Sequence, residues 1–162
     1  MRKIYYTMQT LPYSQLPLTI GVTDDGLCYV GLMPTFEGAI AVEDAGKCAA
    51  HVEALCAMMA GEVERYPLAV DVRGTAFQTA VWEAVQAVPY GETTSYAAIA
   101  AAVGMPKAMR AVGAAIGRNP VLIAVPCHRV VAKSGKLTGF RDGLALKAEL
   151  LAYEQHCAKI DG

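Results

Sequence analysis

Residues 94–117 leave the chain few ways to fold. Tyr96 to Val103 is an alanine-rich helical run that either Thr94 or Ser95 can cap, and it stops at Gly104. Pro106 then stands where a first-turn proline is tolerated, and a second helix is predicted from Lys107 to Gly117. Two short helices joined by so tight a break form a helix-turn-helix. Ala108, Ala111, Gly113, Ala114 and Ala115 leave the second helix nearly bare, with Lys107, Arg110 and Arg118 on or beside it. A bare surface permits close approach, either to another helix in a core or to a ligand. The three cations favour an anionic ligand.

The rest of the chain divides around Arg73-Gly74 into a predicted β-rich domain, residues 1–72, and a mainly helical domain, residues 73–162. The fold class is α/β in the α+β sense. In the first part, Leu18–Val22 and Leu27–Leu32 read as strands flanking the turn Thr23-Asp24-Asp25-Gly26. Asp44 caps a helix running to about Ala60 with Val52, Leu55, Cys56 and Met59 on one face, and Pro67–Val72 is a plausible last strand. In the second part, Thr75-Ala76-Phe77-Gln78 is a capping box that opens a helix with Phe77, Val81, Ala84, Val85 and Val88 on one stripe. Pro89-Tyr90-Gly91 ends it. Val121–Val125 reads as a buried strand, Val130 to Thr138 as a hairpin, and a final helix from near Gly143 carries Leu144, Lys147, Leu150, Leu151 and Glu154.

Net charge is −1, which by itself argues against a polyanionic partner, but the charge is unevenly placed. Up to Val72, four basic residues face nine acids; between Lys107 and Lys147, eight basic residues accompany Asp142 alone. A local basic patch is the footprint of a nucleic-acid partner. Mean hydropathy is +0.32, yet no apolar run approaches the ~18 to 20 residues of a spanning helix. Alanine accounts for the positive value. Met1-Arg2-Lys3-Ile4 lacks the apolar segment of a signal peptide, so the expected location is the cytoplasm, nucleoid-associated when bound to DNA. The five cysteines, Cys28, Cys48, Cys56, Cys127 and Cys157, are odd in number, scattered and free of any C-x-x-C pair. That spacing argues against a disulfide framework or a zinc site, and neither metal nor cofactor is expected.

Pro126-Cys127-His128-Arg129-Val130 carries the chemistry. Proline before cysteine fixes a turn-like exit from the preceding run, which can hold the sulfur clear. A free thiol has a pKa of about 8.5, so only a few per cent is thiolate at neutral pH. His128 can accept the proton, nearby cations stabilise the anion, and Glu154 on the last helix is a candidate to orient the histidine. By itself a Cys-His pair is more often structural than catalytic.

Taken together these residues resemble the O6-alkylguanine-DNA alkyltransferase family, also called methylated-DNA–protein-cysteine methyltransferases. Around the Pro-Cys-His-Arg-Val motif stand Phe77-Gln78-x-x-Val81-Trp82, Pro89-Tyr90-Gly91-Glu92-Thr93-x-Ser95-Tyr96, Arg110-Ala111-Val112-Gly113, Asn119-Pro120 and Leu150-Leu151-x-x-Glu154 at family spacing, from about Arg73 to Gln155. The resemblance implies direct DNA repair: irreversible, stoichiometric transfer of an alkyl group from O6-alkylguanine, with O4-alkylthymine a second substrate, onto Cys127. It implies that His128, through a water and Glu154, is the base; that Asn119 braces the turn below the site; and that Tyr96 protonates the departing guanine. Arg110 would fill the hole left by the flipped base, with Tyr96, Ala97, Met105, Lys107, Arg118 and Lys133 also at the DNA. The expected partner is double-stranded DNA carrying alkylated guanine, bound by a monomer through the minor groove. The loop Gly139-Phe140-Arg141-Asp142-Gly143 departs from the family, which commonly has Gly-Tyr before small residues. Arg141 and Asp142 are therefore expected to crowd the base pocket against large O6 substituents.

Two other classes compete. A DNA-binding module that recognises lesions without transfer would lack the acceptor cysteine, and a cysteine hydrolase would draw its histidine from a distant segment. His51, His156 and the other cysteines carry no motif.

Overall fold

The computed structural model describes residues 2–12, 14–32, 34, 36–134, 140 and 142–161. Its first half is a four-stranded sheet in the order β3-β2-β1-β4, built from β1 (Arg2–Gln9), β2 (Leu18–Thr23), β3 (Gly26–Gly31) and β4 (Ala39–Glu43). The expected β2–β3 hairpin is present, antiparallel with Ile20 opposite Val30. Its turn requires Gly26: φ is +144°, and an added Cβ would lie 2.5 Å from the Ala69 carbonyl oxygen. β1 runs antiparallel to β2 and parallel to β4. Neither β1 nor β4 shows the alternation that betrays a strand. In β1 only Ile4 and Thr7 are buried, and β4 is an exposed edge.

Helix α1 (Ala45–Met59) lies on this sheet, and the Asp44 side chain accepts from Lys47 N at its start. Cys48, Leu55, Met58 and Met59 face inward. Pro67–Val72 is not a strand. Leu27 N donates to Ala69 O and Asp71 N to Leu27 O, giving a single bridge at Val70; the rest of the segment makes no ladder.

The second half is helical. α2 (Ala76–Gln86) opens with both hydrogen bonds of the Thr75–Gln78 capping box. It buries Val81, Trp82 and Val85, and Trp82 Nε1 donates to Ala115 O at 2.9 Å. The helix-turn-helix is α3 (Tyr96–Ala102), capped by Ser95, and α4 (Met109–Gly117). Gly104, at φ +76°, closes α3. α4 starts two residues later than expected because Pro106 and Lys107 belong to the intervening turn, and Ala108 supplies no side-chain cap. Helix α5 (Leu144–Asp161) buries Leu146, Lys147, Leu150, Leu151 and Glu154, while Leu144 at its start is exposed.

Val121–Val125 is buried as expected but is not a strand. Val121 bridges to Val30 of β3, and Leu122 folds back to Val125. Ile123 occupies φ +76°, a conformation that costs a β-branched residue on the order of 1–3 kcal/mol. Asn119 holds this turn from below, accepting from Val121 N at 3.0 Å and donating to Val125 O at 2.9 Å. Val130-Val131 (β6) pairs not with a hairpin partner but in parallel with Thr94-Ser95 (β5); the expected turn at Gly135-Lys136 and return strand at Leu137-Thr138 lie outside the described residues. One apolar core runs through both halves, from Leu18 and Leu55 to Val112 and Leu150.

Candidate active site

The braced turn delivers the chain into a single 3-10 turn, Cys127–Arg129, in which Arg129 N donates to Pro126 O at 3.0 Å. β6 follows at once. Its pairing with β5 sets this turn beside Ser95, the cap of α3, so that the cysteine turn and the helix-turn-helix share one anchoring point. Tyr96, the next residue, is half-buried, and Gly113 of α4 would place a Cβ 4.0 Å from its ring.

Cys127, His128, Arg129, Lys147, Glu154 and Asn119 are each at most 2% exposed. Ions so deeply buried cost several kcal/mol each unless paired. Glu154 resolves most of that cost. One carboxylate oxygen accepts from His128 Nε2; the other accepts from Arg129 Nε at 2.5 Å and from Gly91 N at 3.1 Å. Burial would raise the Glu154 carboxyl, but the His128 hydrogen bond and the His128 and Arg129 charges outweigh it and hold the pKa below the usual range. Burial pushes the His128 imidazole below its ordinary value, and the Arg129 and Lys147 charges act in the same direction against the pull of Glu154. The donor to Glu154 is Nε2, so the proton-accepting atom is Nδ1, which has no hydrogen-bond partner among the described residues.

Lys147 donates to Val130 O at 2.6 Å and lies 5.9 Å from the centres of the Tyr96 and Phe140 rings. Burial pushes its ammonium down to about 8, offset in part by the charge of Cys127. Sequence reading placed Lys147 on the final helix and Arg129 in the motif, and counted both in the basic patch. The available signal was a charged residue on an otherwise apolar helical stripe.

The residues expected at DNA lie elsewhere. Met105, Lys107, Arg110, Arg118 and Lys133 are exposed, and Ala97 is half-buried. On α4, Val112, Ala115 and Ile116 point inward while Ala111 and Ala114 are exposed, so the bare surface faces solvent rather than the core. Of the eight basic residues between 107 and 147, Arg129 and Lys147 are buried and Lys136 and Arg141 are outside the described residues. The described surface therefore offers four cations from that window. The Asp142 carboxylate accepts from Leu32 N at 2.6 Å, tying this residue to the end of β3.

Residues 76–156 match the family model for the DNA-binding domain of 6-O-methylguanine DNA methyltransferase. A methylated-DNA–protein-cysteine methyltransferase of Mycolicibacterium paratuberculosis is 53% identical over a segment covering 66% of this chain and 65% of that one. One from Methanosarcina acetivorans is 39% identical over 95% of this chain and 100% of its own. In three dimensions the chain resembles the Mycobacterium tuberculosis OGT crystallised in complex with DNA, at a TM-score of 0.79 and 38% identity, covering 96% of this chain and 94% of that one.

Proposed function

The chain belongs to the methylated-DNA–protein-cysteine methyltransferase family, and from that premise we propose that it repairs DNA by taking the alkyl group of O6-alkylguanine onto its own Cys127. The observation that carries this reading is the buried cluster in which Cys127 adjoins a histidine already oriented by a carboxylate.

The thiol proton passes to His128 Nδ1, through a water, while Nε2 remains hydrogen-bonded to Glu154. The sulfur attacks the O6-alkyl carbon; a sulfur–carbon bond forms and the carbon–oxygen bond breaks. Its electron pair stays with guanine, which Tyr96 protonates as it leaves. The product thioether has no good leaving group, so each molecule acts once. O4-alkylthymine presents the same kind of carbon and is a second substrate.

A carbon inside the duplex cannot reach a sulfur that is 1% exposed. The nucleotide must be flipped out, at a cost of a few kcal/mol. The exposed Ala111 and Ala114 let α4 approach the narrow minor groove, where bulk would prevent contact, and Arg110 enters the stack in place of the extruded base. Lys107, Arg118 and Lys133 contact phosphates, which carry no sequence information and so suit repair anywhere in a genome. The protein acts on duplex DNA as a monomer, in the cytoplasm.

Intact-mass measurement after incubation with duplex containing O6-methylguanine tests the reading. A stable gain of one methyl group per protein supports it. Retention of the DNA without mass gain marks a binder, and neither result marks a hydrolase.

A further inference from the structure

Glu154 faces two bases of different strength through two different oxygens. His128 Nε2 holds one oxygen; Arg129 Nε, at 2.5 Å, holds the other, with Gly91 N at 3.1 Å. Arg129 is itself fixed. It donates to Val88 O at 2.8 Å, and its guanidinium lies 5.6 Å from the centre of the Tyr90 ring. Arg129, Glu154 and His128 are no more than 2% exposed, so their charges must balance among themselves and with Lys147, whose charge also reaches His128 and which in turn faces Cys127.

With Arg129 present, a neutral His128 leaves the Arg129–Glu154 pair at zero net charge. Without it, a buried carboxylate would stand alone against an imidazole, and the imidazole would take up a proton to neutralise it. A histidine with both nitrogens protonated can no longer receive the proton of Cys127. We propose that Arg129 is a positioning residue for alkyl transfer: by cancelling the charge of Glu154 it keeps His128 neutral, with Nδ1 free to accept. This rests on the function proposed above, but its primary test does not.

The imidazole nitrogen resonances of His128 report its charge directly across a pH titration, with or without transfer. In Arg129→Met, His128 should remain protonated above pH 7. Transfer at pH 7 should fall by up to the ~10²- to 10⁴-fold that general-base catalysis contributes, and recover as pH rises. Arg129→Lys keeps the charge and should hold His128 near its original titration. Should Arg129→Met fail to fold, Glu154→Gln and the double variant Arg129→Met/Glu154→Gln carry the test. The single variant leaves Arg129 uncompensated and should titrate at a lower pH than the double variant. Equal titration of those two, or an unshifted His128 in Arg129→Met, overturns the proposal. An equal loss of transfer at every pH in Arg129→Met also overturns it, marking a merely structural arginine. Absence of transfer in the unaltered protein, with the titrations as expected, would instead indict the proposed function.

Discussion

Cys28 and Cys48 in the sheet half and Cys127 in the helical half are all buried, yet different charges face them: Arg2 and Asp71 oppose one another at Cys28, Asp44 faces Cys48, and Lys147 faces Cys127. Burial pushes the Cys28 and Cys48 thiols up to about 11. Cys48 Sγ donates to the carbonyls of Tyr5 and Ile20, at 3.5 and 3.6 Å, and Asp44 opposes its ionisation further. Around Cys127 lie His128 and Arg129, both held by the Glu154 carboxylate, and the charge of Lys147, which faces the thiol. A low-dielectric interior magnifies whichever charge is at hand. On the proposed function, what sets Cys127 apart is therefore not its depth but the oriented base beside it and the cation that faces it.

The sharpest way to break this contrast is to change the sulfur alone. Cys127→Ser should abolish transfer while preserving DNA binding, because a hydroxyl of similar shape is far harder to deprotonate. Gel-shift and transfer assays on one preparation separate the two properties, and residual transfer would move the acceptor elsewhere.

Removing the neighbours comes next. His128→Ala should slow transfer by ~10²- to 10⁴-fold and Glu154→Ala by less, since the carboxylate only orients the base. Glu154→Ala should cost more in stability, about 3–5 kcal/mol, because it strands Arg129 without its partner. Single-turnover rates and denaturant midpoints should thus rank the two variants in opposite orders. The same order in both measurements would contradict the assigned roles.

The contrast also explains what could be read from the sequence alone. Cys127, His128 and Glu154 were legible because motif residues and a helical stripe announce them, and the Thr75 and Ser95 caps follow from local chemistry. Val121–Val125 was misread because five consecutive apolar residues suit a buried strand or a tight buried turn equally, and what decides is the side chain of Asn119. β1 and β4 were missed because parallel pairing with an exposed edge imposes no alternation. Arg129 and Lys147 counted as surface charge until their burial was known.

A smaller effect is expected where the helical half meets solvent. Arg110→Ala should reduce repair in duplex roughly 10-fold, the scale of one lost contact of about 1.4 kcal/mol, without altering reaction with free O6-methylguanine. An equal loss on both substrates would remove Arg110 from base extrusion. Three exposed cations, Lys107, Arg118 and Lys133, each on a phosphate, give a log–log salt slope of about −2.7 on B-DNA. A flat titration would exclude that surface as the DNA face.

The smallest effect concerns Lys147. Burial depresses its folded pKa from 10.5 to about 8, so between those values the unfolded chain binds more proton than the folded one. Stability contributed by this group is fully present above pH 10.5 and is lost as pH falls through 8. From pH 8 to 9 the wild type should gain up to about 1.4 kcal/mol relative to Lys147→Met. Parallel stability profiles for the two proteins over that interval would mean that the lysine is solvated.

Locating the transferred group tests the central contrast most directly. The protein is incubated with excess O6-methylguanine duplex, digested, and each of its five cysteine-containing sites is assigned by mass spectrometry. The expected result is one methyl per molecule, confined to Cys127, with surplus lesion left unrepaired. Methyl on Cys28, Cys48, Cys56 or Cys157, or more than one lesion repaired per protein molecule, would contradict it.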